Sequence, residues 1–246
     1  MKIIKLDAID STNSYLKKLL NKESLDDLTV VVSKHQTQGR GRNGNVWSNK
    51  PSLNLAFSIY KRFSDFEIDK KFMLNVISSI SVYETLKKYN LLDLTIKWPN
   101  DIQIEGRKVA GILTEMSAEI DHVRHVILGI GIDVNQTTSD FTGELSTIAT
   151  SLKLASGKTI DRARLAERIL LELDADYRRI LDRQFPTIAE EWAAHCTTIG
   201  KEITVDMGPR RVFGRAEALD ESGALLVRTQ HGRMERVMGG DVTLAK

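Results

Sequence analysis

The chain is organised around one stretch, Gln36-Thr-Gln-Gly-Arg-Gly-Arg-Asn-Gly-Asn-Val-Trp47. Three glycines (Gly39, Gly41, Gly44) interleave with Arg40 and Arg42, a composition that no regular helix or strand would carry. Glycine at this density lets the backbone reach positive φ and come close to a ligand. Successive N–H groups in such a turn form anion-binding nests, and arginine adds forked donors suited to phosphate or carboxylate. The stretch reads as an anion-holding loop, with a flexible basic loop as the alternative. It is no Walker loop, since the Gly-Lys-Ser/Thr ending is missing. It is no dinucleotide fingerprint either, since no helix-forming run follows.

The flanking segments say how the loop is presented. Leu28 to Ser33 is a β-branched strand leading in. Past the loop, Leu53, Leu55, Phe57 and Ile59 alternate with Asn54, Ala56 and Ser58, the period of a strand with one buried face. Upstream, Ile3 to Ile9 reads as a short strand. Asp10-Ser11-Thr12-Asn13 then precedes Tyr15, Leu16, Leu19 and Leu20 at helical spacing. Such residues cap helices, but four exceed what a cap needs, and the spare ones are candidates to bind a ligand. Downstream, Lys70 to Tyr89 reads as a helix with Phe72, Val76, Ile77, Ile80 and Tyr83 on its apolar side. Leu92 to Trp98 reads as a strand stopped by Pro99. Ile102–Ile104 and Lys108–Glu115 form a hairpin with Gly106 in its turn and Lys108 where its second strand begins. Val123 to Ile132 closes on Gly129-Ile-Gly-Ile-Asp-Val-Asn135.

Residues 137–158 read as a loop with a short helical piece. Asp161 caps a long helix carrying Leu165, Ile169, Leu173, Tyr177 and Ile180, and a shorter helix covers Thr187 to His195. From Gly200 the pattern becomes short β runs cut by glycine turns, as in a small barrel or sandwich. The expected division is 1–196 and 197–246.

Composition narrows the function classes. A net charge of +2 over 246 residues lacks the basic excess of a dedicated nucleic-acid binder. One cysteine, Cys196, allows neither an internal disulfide nor a cysteine zinc site. No apolar run approaches a membrane span, and the apolar part of the N-terminus is too short for a signal peptide. The expectation is a cytoplasmic protein with no DNA or membrane partner.

Taken singly, the polar clusters are ordinary. Lys108 suits a solvated hairpin, Asn100-Asp101 a turn, and Gly129 and Gly131 close strand packing. Their combination is specific. Ser11-Thr-Asn13, the loop from Gln36 to Trp47, Lys97-Trp-Pro-Asn-Asp101, Arg107-Lys-x-x-Gly-Ile-Leu-x-Glu115 and Gly129-Ile-Gly-Ile-x-Val-Asn135 follow in one order. In these blocks the chain resembles the biotin–protein ligases over nearly its whole length, and Val237-Met-Gly-Gly240 is similar to part of that family's small C-terminal barrel. Ser11 comes too early for the DNA-binding domain of bifunctional members, so the resemblance is to the monofunctional type. Asn43, Asn45 and Asp133 depart from the family pattern, which commonly has arginine or lysine near the end of the loop and asparagine in the fifth place of the Gly-Ile-Gly-Ile block.

The resemblance implies an α+β fold: a mixed, mainly antiparallel sheet with helices on one side, plus a small C-terminal β-barrel. It implies a ligase that joins biotin to ATP as biotinyl-5′-AMP, with Mg2+ on the polyphosphate, and then acylates a lysine of a biotin carboxyl carrier domain. A lipoate–protein ligase is the nearest alternative and a nucleic-acid-binding module a remoter one. Arg42, Lys108 and Asp101 are the implied catalytic residues, with no metal ligands. Ser11, Thr12, Asn13, Gln36, Gly39, Arg40, Gly41, Trp47, Asn100, Gly111, Asp133, Asn135 and Arg236 are the further binding residues, with Trp47 and Asn100 beside the adenine and Arg236 reaching the phosphates. The oligomeric expectation is a monomer or homodimer.

Overall fold

The computed structural model describes residues 1–119 and 122–244. The last two residues of the expected C-terminal unit lie outside that range. Seven strands, β1 (Lys2–Ile9), β2 (Thr29–Gln36), β3 (Asn54–Arg62), β4 (Leu94–Lys97), β5 (Asp101–Ile104), β6 (Arg107–Glu119) and β7 (His122–Asp133), form one sheet in the order β1-β2-β3-β7-β6-β5-β4. The helices are α1 (Thr12–Leu20), α2 (Met73–Lys87), α3 (Leu145–Ile148), α4 (Leu152–Ser156), α5 (Arg162–Leu181) and α6 (Phe185–Ala194). β1 and β2 are parallel, and the other pairs are antiparallel. A parallel pair needs a crossover, and α1 is that crossover. Its cap is Ser11, whose side chain accepts from the Ser14 N–H.

Helices cover both faces of the sheet, not one. α2, α5 and α6 share a core with Leu55, Phe57 and Ile59 on one face. On the other, Leu16 of α1 packs with Val31, Tyr60 and Ile127. This explains the second departure from expectation: β3 is buried on both faces. Its polar positions Asn54 and Ser58, which alternate as a solvent face would, are 1% and 0% exposed. Ser58 lies under the first turn of α1, bonded to Thr12 and Asn13, and Asn54 lies under the segment past the glycine loop, accepting from the Lys50 N–H. α2 is likewise buried nearly all round, because α5 and α6 cover its outer side. Its serines bond across: Ser81 Oγ donates to Asp176 Oδ2 at 2.7 Å, and Trp192 Nε1 donates to Ser79 Oγ at 2.9 Å.

The β5–β6 hairpin turns on Glu105 (φ 49°) and Gly106 (φ 74°). Positive φ at both positions is the turn whose twist matches the flanking strands. It sets Lys108 at the start of β6. Beyond α6, residues 195–198 run beside β4, with Ile96 N–H donating to His195 O and Thr197 N–H to Ile96 O, both at 2.9 Å. β8 (Glu202–Asp206), β9 (Arg211–Leu219), β10 (Leu225–Thr229), β11 (Met234–Val237) and β12 (Asp241–Leu244) follow. The expected barrel is a five-stranded antiparallel sheet, β11-β10-β9-β8-β12, whose edge strands are not bonded to each other among the described residues. Its inward residues Ile203, Val205, Val212 and Val227 join the core of the large sheet.

Candidate active site

The floor of the site is bare backbone. Gly111 on β6 lies opposite Gly131 on β7, Gly131 opposite Ala56 on β3, and Gly129 opposite Ser58. The two-residue period of a strand puts Gly129 and Gly131 on one face. A Cβ on Gly131 would lie 2.5 Å from Trp47 Cε2, and one on Gly111 3.0 Å from Trp47 Cζ3. A Cβ on Gly129 would collide with Asn13 Oδ1. The glycines expected to serve strand packing instead let Asn13 and Trp47 lie directly on the sheet.

Over this floor opens a cleft of about 800 Å³, including its mouth, bordered by Ser11, Thr12, Asn13, Gln36, Arg40, Gly41, Arg42, Trp47, Asn100, Asp101, Lys108 and Gly111. One end is polar and carries no formal charge in its inner layer. Gln36 Oε1 accepts from the Thr12 N–H at 2.8 Å and from Thr12 Oγ1 at 3.0 Å, and Ser58 Oγ lies between Thr12 Oγ1 (2.6 Å) and Asn13 Oδ1. Ser11 keeps its capping role, while Thr12 and Asn13, in the first turn, are the spare polar groups. Behind them, Glu115 accepts from Asn13 Nδ2 (2.8 Å) and Lys17 Nζ (2.7 Å), and both its oxygens lie within 3.2 Å of Arg40 Nη2. Burial works to raise the Glu115 carboxyl, but these bonds and the Arg40 charge outweigh it and hold it below the usual range.

The other end is cationic. The glycine loop closes on itself: Trp47 N–H donates to Gly39 O, Gly41 N–H to Asn45 O, and Asn45 N–H to Arg42 O, at 2.7–2.9 Å. Those N–H groups are consumed inside the loop, so it is less of a backbone nest than its sequence suggests, and side chains carry most of the positive field. Arg42 Nη1 donates to Asn100 Oδ1 at 3.2 Å, and Asn100 Nδ2 donates to Ile112 O at 2.7 Å. With both ends of its amide engaged, Asn100 fixes Arg42. Burial lowers the Arg42 guanidinium, against the charges of Asp241 and Asp101. Lys108 Nζ pairs with Asp101 Oδ1 at 2.6 Å and stands 5.4 Å from the Trp47 ring centre.

The remaining expected residues are placed elsewhere. Gly39 sits at the base of the loop, where a Cβ would lie 2.5 Å from Trp47 O. Asp133 borders a second cavity on the far side of Trp47 and Lys108. Asn135 is a clasp: its side chain donates to Ile160 O and accepts from the Ile160 N–H, each at 2.9 Å. Arg236 does not reach the cleft, because Asp220 and Ser222 hold it within the C-terminal sheet. The residue of that sheet which borders the cleft is Asp241, bonded by Asn43 Nδ2 at 3.2 Å. Ser58 and Asp241 were not singled out from the sequence, and Glu115, Gly129 and Gly131 stood in the quoted blocks without a binding role of their own. The two-residue spacing of the glycines and the polar positions of β3 were the available signals.

Residues 6–133 match the model of the Biotin/lipoate A/B protein ligase family, and residues 198–244 match that of the Biotin protein ligase C terminal domain. The bifunctional ligase/repressor BirA of Bacillus spizizenii is 38% identical over 242 residues, which are 98% of this chain and 74% of that protein. The biotin–acetyl-CoA-carboxylase ligase of Mycobacterium tuberculosis is 31% identical over 246 residues, covering 96% of this chain and 88% of that protein. A solved structure of biotin protein ligase from Aquifex aeolicus in complex with biotin and ATP superposes with a TM-score of 0.83 at 27% identity, covering 100% of this chain and 99% of that one. With a family model spanning more than half of it and relatives of this identity along almost its full length, the chain belongs to the biotin/lipoate A/B protein ligase family.

Proposed function

We propose that this chain is an ATP-dependent biotin protein ligase whose two half-reactions share the cleft over Gly111, Gly129 and Gly131. The observation that carries this reading is the polarity of the cleft, with uncharged hydrogen-bonding groups at one end and Arg42 and Lys108 towards the other. A ureido ring needs donors and acceptors together, which Thr12, Gln36, Ser58 and Asn13 offer. The valeryl carboxylate then points at the cations.

In the first half-reaction a carboxylate oxygen attacks the α-phosphorus of ATP and pyrophosphate leaves. Two anions must meet, so the barrier is largely electrostatic, and positioned cations lower it. Arg42, anchored by Asn100, and Lys108, anchored by Asp101, fill that role. In the second, the Nζ of a lysine on a carboxyl carrier domain attacks the acyl carbon and AMP leaves. The attacking amine must be neutral, although lysine titrates near pH 10.4. Asp101, at the cleft border, accepts a hydrogen bond from the incoming ammonium and eases the loss of its proton.

Magnesium enters with the nucleotide. Among the described residues no cluster of His, Cys, Asp and Glu could hold a metal, and of the carboxylates facing the cleft Asp101 is paired with Lys108 and Asp241 with Asn43. Such a donor set would leave the ion to the nucleotide, and its charge would offset that of the leaving pyrophosphate. No helix among the described residues is long and apolar enough to cross a membrane. The proposed division of the chain is 1–196 for the chemistry and 197–246 for the C-terminal sheet.

The test is biotin-dependent exchange of labelled pyrophosphate into ATP with no carrier present. Lipoate has no ureido group, so it would offer Thr12, Gln36 and Ser58 no ligand partner for their remaining hydrogen-bonding capacity. Sites built on such groups reject the lacking analogue by on the order of 10⁴-fold. Exchange that requires carrier, or that lipoate supports as well as biotin does, overturns the assignment.

A further inference from the structure

Glu115 stands one side chain back from the cleft, behind Asn13. Lys17 of α1 and Arg40 of the glycine loop pair with it at 2.7 and 3.1 Å, and neither has another ion-pair partner among the described residues. Asn13 Nδ2 donates to its Oε2 at 2.8 Å. All three neighbours donate, and an ionised carboxylate only accepts. Of the three, only the Asn13 amide has two different ends. It lies against Gly129, 3% exposed, with Oδ1 turned to Ser58 Oγ. Its 3.5 Å contact with Leu113 O is too long to fix it. What fixes it is the charge of Glu115, which burial opposes and the bonds from Lys17 and Asn13 sustain.

We propose that Glu115 is a positioning residue for ligand selection: it sets the direction of the Asn13–Ser58–Thr12 hydrogen-bond chain, so that the polar end of the cleft shows oxygen acceptors and takes a group with N–H donors. The inference rests on the ligase reading, in which that group is the ureido ring. Ser58 has one hydroxyl hydrogen and two oxygens beside it, Thr12 Oγ1 at 2.6 Å and Asn13 Oδ1. It donates to one of them at a time. With the Asn13 NH2 group claimed by Glu115, Asn13 Oδ1 faces Ser58 and draws that hydrogen. Thr12 sends its own hydroxyl hydrogen to Gln36 Oε1 at 3.0 Å. The hydroxyl hydrogens are then spent inside the protein, and lone pairs of Thr12 and Ser58 remain for what enters.

An isosteric amide in place of Glu115 reverses the chain. Lys17 and Arg40 only donate, so they take the oxygen of the new amide and turn its NH2 group towards Asn13. Asn13 accepts from that group by exchanging its own ends, which sets Nδ2 against Ser58 Oγ. Ser58 then donates to Thr12 Oγ1. Each hydroxyl has given up a lone pair, and the polar end has lost acceptors without losing a side chain. Moving the carboxylate to position 13 undoes the reversal. There it accepts from the NH2 group at position 115 on one side and from Ser58 on the other, and the Ser58 hydrogen leaves Thr12 again.

Calorimetry on the full chain tests this with biotin and its cyclic carbamate analogues, in each of which a ring oxygen replaces one ureido N–H. Wild-type protein is expected to bind the weaker carbamate about a hundredfold less tightly than biotin, because an oxygen then faces a buried acceptor. Glu115→Gln shrinks that ratio about tenfold, the worth of one hydrogen bond. Glu115→Asp, still an anion, keeps the ratio even where it weakens every ligand. Glu115→Gln combined with Asn13→Asp restores the ratio, which a general loosening of the loop would not do. An unchanged ratio in Glu115→Gln, with all affinities falling together, overturns the proposal and leaves Glu115 an anchor of the loop. A double variant that keeps the shrunken ratio overturns it as well. Should Glu115→Gln fail to fold, Glu115→Asp decides: a retained ratio supports the proposal and a collapsed one overturns it. Wild-type protein that binds the carbamates as tightly as biotin also overturns it, whereas wild-type protein that binds none of these ligands sinks the ligase reading instead.

Discussion

Replacing Gly131 by alanine isolates what the bare floor does. The new methyl carbon would sit 2.5 Å from Trp47 Cε2, 2.8 Å from Nε1 and 2.9 Å from Cζ2. Carbon atoms rest about 3.5–4.0 Å apart, so the indole must lift by roughly 1 Å. Gly131 is central in the sheet, paired with Ala56 on one side and Gly111 on the other, and its backbone cannot yield. Trp47 belongs to the loop, and its N–H bond to Gly39 O drags the loop with it. Overpacking costs about 1–3 kcal/mol. The low end applies, because the displaced group is in a loop and not in the layer under α2. For a chain of this length about 1 kcal/mol moves Tm by roughly 2–4 °C. The cost to function is larger. A displacement of 1 Å in a positioned site costs about 100-fold, or roughly 2.7 kcal/mol, since Arg42 and Lys108 both stand against the moved segment. Pyrophosphate exchange beside a melting curve measures both. A Gly131→Ala protein with wild-type exchange would refute the reasoning and return Gly131 to strand packing. In the background of Trp47→Leu the same substitution should cost little more, a coupling of the size seen between touching residues.

Two further outcomes follow from the cationic end. Lys108→Ala and Arg42→Ala should each lose at least about 3 kcal/mol of transition-state stabilisation in adenylation, the scale of one preorganised donor facing developing charge; wild-type turnover in either would mark it as a solvated charge. Asp101→Asn should slow lysine transfer from preformed biotinyl-AMP more than it slows pyrophosphate release in single-turnover measurements, and equal losses would assign Asp101 to the nucleotide or its magnesium.

The strands and helices were legible because each kept its period. Leu165, Ile169, Leu173, Tyr177 and Ile180 mark one face of α5, and all are buried. Glu105-Gly106 marks a two-residue turn. What periodicity does not carry is which layer covers a face. Asn54 and Ser58 alternate with apolar residues as solvent-facing positions do, yet α1 closes over Ser58 and the segment at Lys50 over Asn54. Ser78, Ser79 and Ser81 gave α2 a polar side that α5 and α6 bury and bond. The same limit explains Arg236. Its strand was readable, but the Asp220 and Ser222 that hold it sit on a turn many residues away, and no local signal ranks them above a phosphate. Asp241 was missed for the converse reason: a lone aspartate at the start of a strand looks like any turn residue until the sheet carries it to Asn43. Residue type alone marked Arg40 and Arg42 as the charges of the glycine loop, but not that Glu115 pairs with Arg40 or that Asn100 holds Arg42.

The ion pairs of the cleft bear on the order of the proposed steps. Lys108 and Asp101 face each other at 2.6 Å, so before nucleotide arrives neither charge is fully available. A phosphate drawing Lys108 towards itself weakens that pair and leaves Asp101 short of a cation. A carboxylate bordering such a cleft then attracts a second ammonium, and the carrier lysine brings one. Before adenylation the site has little to offer that lysine, because Asp101 is already satisfied. In the proposed scheme, the contact that anchors Lys108 for the first half-reaction thereby holds back Asp101 from the second. This ordering needs no moving lid. It follows from one carboxylate shared between two ammonium groups that arrive in turn, and it is why Asp101→Asn is expected to separate the steps while Lys108→Ala is expected to stop the first.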